Sequence, residues 1–321
     1  MSDLTPEFPI LIVAAQPTLD HTALVPEIEV GKAHRVNQTI ILPSGKAINT
    51  ARSLKTLGAK VRVAALLAGY NGRWISEALK QAGVAVQSAW MGGENRIAYS
   101  VYDPSHDTLT EFIEDTDGPV TEKVWAELHG LVQEMLPGAC ALILTGRAPR
   151  GAPDDGYKRL VDLAHNIGIP VFIDCYGPLL QHAMIARPEL VKINQREAGT
   201  LMGKVLHSPM ECAMAAQKLY LTGIPKVIIT LGDRGAVAIN ANGAWLAVPP
   251  KLHGAAIGSG DALLAGVVYA LVQQRSLDDA LRWGVAAGAA NVLTPGAGVF
   301  NVMDAVRISQ QVRVMELQVQ A

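Results

Sequence analysis

The sequence predicts a three-layer α/β protein with a mostly parallel central sheet and a small inserted β-sheet. Three observations carry this. Short runs of Val, Ile and Leu recur without alternation, as strands do when a sheet is covered on both faces. Stretches of helical period lie between them, and each closes at a glycine, the usual helix stop. Two segments break the rhythm with short alternations of polar and apolar residues around turn residues, which predicts antiparallel strands with one solvated face.

In chain order, "ILIVAA" (10–15) is the first buried strand, and "TLDHTALVPEIEVGKAHRVNQTIIL" (18–42) is the first irregular segment. Helix "NTARSLKTLGA" (49–59), strand "VRVAALLAG" (61–69) and helix "GRWISEALKQAGV" (72–84) follow. The second irregular segment is "RIAYSVYDPSHDTLTEFIE" (96–114), and the two segments together form a β-rich lid. Then come strand "ALILTG" (141–146), helix "DDGYKRLVDLAHNIG" (154–168) and strands "PVFIDC" (170–175) and "LVKIN" (190–194). Helix "SPMECAMAAQKLYLTG" (208–223) and strand "KVIITLG" (226–232) continue the alternation, which favours parallel pairing. Residues 1–321 thus read as a single α/β domain with the lid inserted in it.

With 321 residues, half of them hydrophobic and 17% charged, the chain can bury a large core. A net charge of -2 and no basic cluster interleaved with aromatics argue against nucleic acid as a partner. Three widely spaced cysteines fit reduced thiols and a cytoplasmic setting better than a disulfide framework. The apolar run from Ala262 to Val272 is too short to span a bilayer, so no membrane partner is expected.

None of the three Gly-Lys pairs is followed by Ser or Thr, which excludes a Walker A loop. The dinucleotide fingerprint fails as well, because "GSGDAL" would need a glycine at Leu263. The eight histidines include no helical i,i+4 pair, and no cysteine cluster has zinc spacing. What remains is "AAIGSGDALLAGVVYAL" (255–271), where Asp261 is the one charge ahead of a long apolar run. A Gly-rich turn entering a helix binds anions through free N–H groups and the helix dipole. Asp261 there is either a helix cap or a group with chemistry to do.

Five ordered motifs resemble the PfkB, or ribokinase-like, carbohydrate kinases. "SGKAINTARSLKTLGAKV" (44–61) and "GSGDALLAG" (258–266) look like the family's N- and C-terminal signatures. "TGRAPRGAPDD" (145–155), "VKINQREAGTLMG" (191–203) and "VIITLGDRGAVAI" (227–239) lie between them in the family's order. "QPTLDHT" (16–22) is most similar to the branch of 1-phosphofructokinases and tagatose-6-phosphate kinases. The resemblance implies ATP-dependent phosphorylation of a phosphorylated ketohexose, with ATP and Mg²⁺ bound and two copies paired through their lids. An unphosphorylated sugar or nucleoside is the alternative substrate, and a non-catalytic sugar or nucleotide sensor the alternative of another class.

Residue by residue, the resemblance makes Asp261 the general base and Gly258, Ser259 and Gly260 the anion hole. Asp20, Gly45, Lys46 and Asn49 face the sugar, and Arg96 meets its existing phosphate, a role that suits a guanidinium. Lys192, Asn194, Thr230, Gly232 and Gly235 border the nucleotide. Asn194 and Glu197 hold Mg²⁺ through water, or are simply a helix cap and a first-turn acid. Departures cluster near the sugar and a cation position. Ser44 and Ala47 replace glycines of the first signature, Arg147 stands where the family has Ser, and Ala255-Ala256 replace Asp-Thr. With that pair gone, no monovalent-cation site is expected.

Overall fold

Strand β1 (Ile10–Ala14) shows how an unalternating apolar run is used: Ile10, Ile12 and Ala14 enter one core, Leu11 and Val13 the other. The computed structural model describes residues 8–115 and 118–319. The remaining strands are β2 (Thr18–Leu24), β3 (Thr39–Ser44), β4 (Val61–Ala68), β5 (Ala85–Met91), β6 (Ile97–Asp103) and β7 (Thr108–Ile113). After these come β8 (Ala141–Thr145), β9 (Val171–Asp174), β10 (Leu190–Asn194), β11 (Lys226–Thr230), β12 (Ala236–Asn240), β13 (Gly243–Val248) and β14 (Arg313–Glu316). The helices are α1 (Lys46–Thr56), α2 (Gly69–Gln81), α3 (Glu122–Met135), α4 (Gly156–His165) and α5 (Pro178–Ile185). They continue with α6 (Gln195–Met202), α7 (Pro209–Leu221), α8 (Ser259–Val272), α9 (Leu277–Val292) and α10 (Val302–Ser309).

A ten-stranded sheet runs in the order β14-β13-β12-β11-β10-β9-β8-β1-β4-β5. It is parallel from β11 to β5 and antiparallel from β11 to β14. The core on one face draws on α1, α2, α8, α9 and α10, and that on the other on α3, α4, α5 and α7. Helices α1, α2, α4 and α7 start and end within a few residues of their expected limits. Gly58, Gly83, Gly168 and Gly223 follow them in the left-handed region that ends a helix. Helix α1 starts three residues early because Gly45, at φ 93°, takes the N-cap place. Strands β5 and β12–β14 and helices α3, α5, α9 and α10 lie outside the elements the sequence pattern marks.

The chain runs from β1 through β4 to β5, then returns to β8 on the other side of β1 and continues outward through β9, β10 and β11. The carboxyl ends beside such a reversal are where open α/β sheets bind ligands. Thr145, Asp174, Asn194 and Thr230 each end their strand there.

The second sheet has the order β3-β2-β6-β7. Its outer pairs are antiparallel, as expected, but the central pair β2–β6 is parallel, which corrects the all-antiparallel expectation. The reason is topological: β2 and β6 both leave the carboxyl ends of parallel main-sheet strands, β1 and β5. One face turns Asp20, Thr22 and Ser100 inward, all buried. The other is not simply solvated and polar, because Ile41, His21, Tyr99 and Phe112 stand in one row across it. Ile41, Tyr99 and Phe112 of that row are exposed. Among the described residues, no helix is long and apolar enough to cross a membrane.

Candidate active site

The first turn of α8 forms the floor of the site. Its N-cap, Gly258, sits at φ 75°, and a Cβ there would come within 2.5 Å of the Gly298 nitrogen. Only glycine fits that approach. The amide of Ser259 donates to Ala256, and those of Asp261 and Ala262 donate to Gly258. This leaves the Gly260 N–H for a ligand, and the Lys192 ammonium lies 3.3 Å from where a Gly260 Cβ would be. Ser259 points elsewhere: its hydroxyl accepts from the buried Asn291.

Asp261 does not cap α8. It is the third residue of the helix, 6% exposed, and its Oδ2 accepts from Asn49 Nδ2 at 2.9 Å. Burial raises its pKa to about 6, with Asp174 adding to the rise and Lys46, Lys192 and the Asn49 hydrogen bond opposing it. Asn49 is buried on α1, where its Oδ1 accepts from Ser44 Oγ at 3.0 Å and Arg52 Nη1 at 3.3 Å.

Near Asp261 lies an acid that the sequence pattern does not single out. Asp174, fully buried at the end of β9, pairs with Lys46 Nζ at 3.0 Å and Lys192 Nζ at 2.6 Å. Burial works to raise its pKa, but the two ammonium groups outweigh that and hold it below the usual carboxylate value. Lys46 is held above its ordinary value by Asp174, Asp261 and Glu197, against the opposing effect of burial. An unpaired ammonium inside would be costly, so Asp174 fixes both lysines at the site. The only sequence trace of this role is a lone carboxylate ending an apolar strand.

Two clefts open at the carboxyl ends of the strands. One, of about 420 Å³, is lined by Lys46, Arg96, Thr145, Arg147 and Tyr176 among others. Arg96 donates to Thr18 Oγ1 at 2.9 Å, and Arg147 lies over the Tyr176 ring at 5.2 Å. Thr145 Oγ1 is buried in that wall without a hydrogen-bond partner. Asp20 accepts weakly from Ser100 and Thr22, and burial together with Glu111 lifts its pKa to about 6. Gly45 is set by its own backbone, since a Cβ would meet the Gln16 carbonyl at 2.9 Å.

The second cleft, of about 870 Å³, is lined by Asn194, Thr230 and Gly232 with residues of α6 and the loop that follows it. Lys192 and Gly235 do not line it. Lys192 turns toward Asp174, and Gly235 closes the turn after β11, where a Cβ would strike the Ala247 carbonyl. Asn194 and Glu197 form a capping box on α6: Asn194 Oδ1 accepts from the Glu197 amide, Glu197 Oε2 from the Asn194 amide. Their plain helix-start reading therefore holds in the structure. Glu197 still contributes to the field at Lys46. This all-oxygen pair fits a Mg²⁺ that keeps mostly water and phosphate ligands. Among the described residues, no group of three or more His, Cys, Asp or Glu forms a protein cage for a metal.

Comparison with known proteins shows the family and the fold. Residues 13–303 match the family described as pfkB family carbohydrate kinase. A 1-phosphofructokinase of Rhodobacter capsulatus is 30% identical over 86% of this chain and 88% of its own length. The ATP-dependent 6-phosphofructokinase isozyme 2 of Escherichia coli is 28% identical over 89% and 93%. The crystal structure of Escherichia coli phosphofructokinase-2 in complex with potassium superposes with a TM-score of 0.87 at 26% identity, covering 95% of this chain and 99% of that one. The chain belongs to the pfkB family of carbohydrate kinases.

Proposed function

We propose that this kinase transfers the terminal phosphoryl group of ATP to a hydroxyl of a phosphorylated ketohexose: fructose 1-phosphate, fructose 6-phosphate or tagatose 6-phosphate. The observation that carries the reading is Asp261, a buried carboxylate with a pKa near 6 on the first turn of α8, beside the Gly260 amide and Lys192. At neutral pH such a group is ionised yet still basic enough to accept a proton in the transition state.

In this reading the sugar phosphate lies in the cleft bordered by Lys46 and Arg96, with Arg96 on its phosphate and Asp20 accepting from its hydroxyls. ATP lies along Asn194, Thr230 and Gly232. Asp261 takes the proton of the attacking hydroxyl while Asn49 holds its other side. The Gly258–Gly260 turn and Lys192 meet the charge on the phosphoryl group in flight, so catalysis is mainly positioning and electrostatics. Mg²⁺, when bound, neutralises phosphate charge; Asn194 and Glu197 would hold it through water. The small sheet acts as a lid that excludes water as a competing acceptor.

Asp261→Asn keeps size and polarity and removes the base, so kcat is expected to fall by about a hundredfold or more. Near-normal turnover with any of the three sugar phosphates would overturn the mechanism. The exposed row of Ile41, Tyr99 and Phe112 supports pairing of two lids into a homodimer. A monomeric sedimentation coefficient at micromolar concentration would rule that out.

A further inference from the structure

A primary amide can present either end to a neighbour, so a hydrogen bond such as Asn49 Nδ2 to Asp261 needs something to choose the orientation. Two donors converge on the opposite end, Ser44 Oγ at 3.0 Å and Arg52 Nη1 at 3.3 Å. Turning the amide over would set Oδ1 against the carboxylate and NH₂ against the guanidinium, acceptor facing acceptor and donor facing donor.

We propose that Arg52 is a positioning residue for the base: it locks the Asn49 amide so that Nδ2, not Oδ1, faces Asp261. This rests on the reading of Asp261 as the general base. Arg52 is itself held from two sides of the site. Its guanidinium donates to the carbonyl of Pro43, on β3 of the small sheet, and to that of Ala297. Ala297 belongs to the loop against which Gly258 is packed. Arg52 is partly buried, and burial lowers its pKa to about 10, opposed by Asp20 and Asp261; it remains a cation at neutral pH. Ser44 and Arg52 differ in kind. The hydroxyl can donate or accept and so permits either amide orientation, whereas the guanidinium has only donors and permits one.

The charged groups acting on Asp261 are Lys46 from α1, Asp174 from β9 and Lys192 from β10, with Arg52 acting on it across Asn49. Asp20 from β2 is the other carboxylate acting on Arg52, and Glu111 from β7 faces Asp20. Losing the lock weakens the bond that favours the ionised base, so Asp261 then protonates at higher pH.

The test is the pH profile of kcat/KM for Arg52→Gln with the full enzyme, ATP, Mg²⁺ and the sugar phosphate that the wild type turns over. The expected result is an acidic limb moved up by about one pH unit. It comes with a kcat lower by about tenfold and a sugar KM changed less than about threefold. In an Asn49→Ala background the same Arg52→Gln change is expected to leave the limb in place. A limb that moves there equally would make the effect direct electrostatics and overturn the role through Asn49. An unmoved limb in Arg52→Gln would reduce Arg52 to packing. Should that variant fail to fold, Arg52→Met carries the test, because it fills the partly buried space with an unbranched side chain and brings no donor to Asn49. The limb is expected to move in the same direction, and an unmoved limb overturns the proposal. A wild-type profile with no acidic limb near pH 6 would instead count against Asp261 as the base, a separate failure.

Discussion

Asn49 donates its Nδ2 to Asp261 Oδ2 at 2.9 Å and so joins two residues 212 positions apart in the chain. The bond favours the ionised carboxylate, yet burial wins and the pKa stands near 6. In the unfolded chain the same group titrates near its model value of 3.8. The folded state therefore holds this proton more tightly, and stability from this group is fully present below about pH 4 and lost as pH rises through 6. Asp261→Asn is expected to make the protein more stable by about 1 to 3 kcal/mol at pH 8 and by much less at pH 4. Urea unfolding at the two pH values checks it; equal gains at both would contradict the linkage.

Arg96 borders the smaller cleft and is tied to Thr18, so its head group is set at that cleft. With the sugar phosphate seated there as proposed, removing Arg96 takes away a bidentate partner for its phosphate. Arg96→Ala is expected to raise KM for the sugar phosphate by about tenfold or more, with little change toward an unphosphorylated sugar. Steady-state kinetics with both substrates decide it, and an unchanged KM would end the phosphosugar assignment.

Asp174 neutralises two lysines at once, one of them buried. Asp174→Ala leaves Lys192 in the interior without a counter-charge and is expected to cost about 3 to 5 kcal/mol of stability. Thermal unfolding measures this directly. A melting temperature within a degree of the wild type would show that the lysines find solvent, and that the cluster is looser than its distances imply.

Ala255 and Ala256 bring no side-chain oxygen to the loop before α8, and Ala255 is buried. Turnover is therefore expected to be the same in potassium, sodium or tetramethylammonium chloride at equal ionic strength. A selective rise in kcat with potassium would show that backbone carbonyls alone build a cation site there.

Much of this fold is legible in the sequence, because β1 and β8–β11 are buried on both faces and so are written as unbroken apolar runs. Asp261 is legible for a related reason: a lone charge ahead of an apolar helix stands out. Asp174 and Arg52 are not, since their meaning comes from partners on other elements, Lys46 and Lys192 for the one, Pro43 and Ala297 for the other. The resemblance places Gly235 at the nucleotide, and the structure adds a packing reason for a glycine there, the approach of the Ala247 carbonyl. The parallel β2–β6 pair is invisible locally, because strand direction is set by where each segment leaves the main sheet.

That pair also bears on when the small sheet comes into being. Leu19 meets Ile97 in register only after the intervening chain has laid down β4, α2 and β5. Pairings between such distant segments form late, because the loop between them must close first. The main sheet can collapse around the β1–β4 pair with the small sheet still open. Amide protection in β2 and β6 then lags behind that in β1 and β4 during refolding. The small sheet is thus completed only after the β1–β4 pair on which it rests.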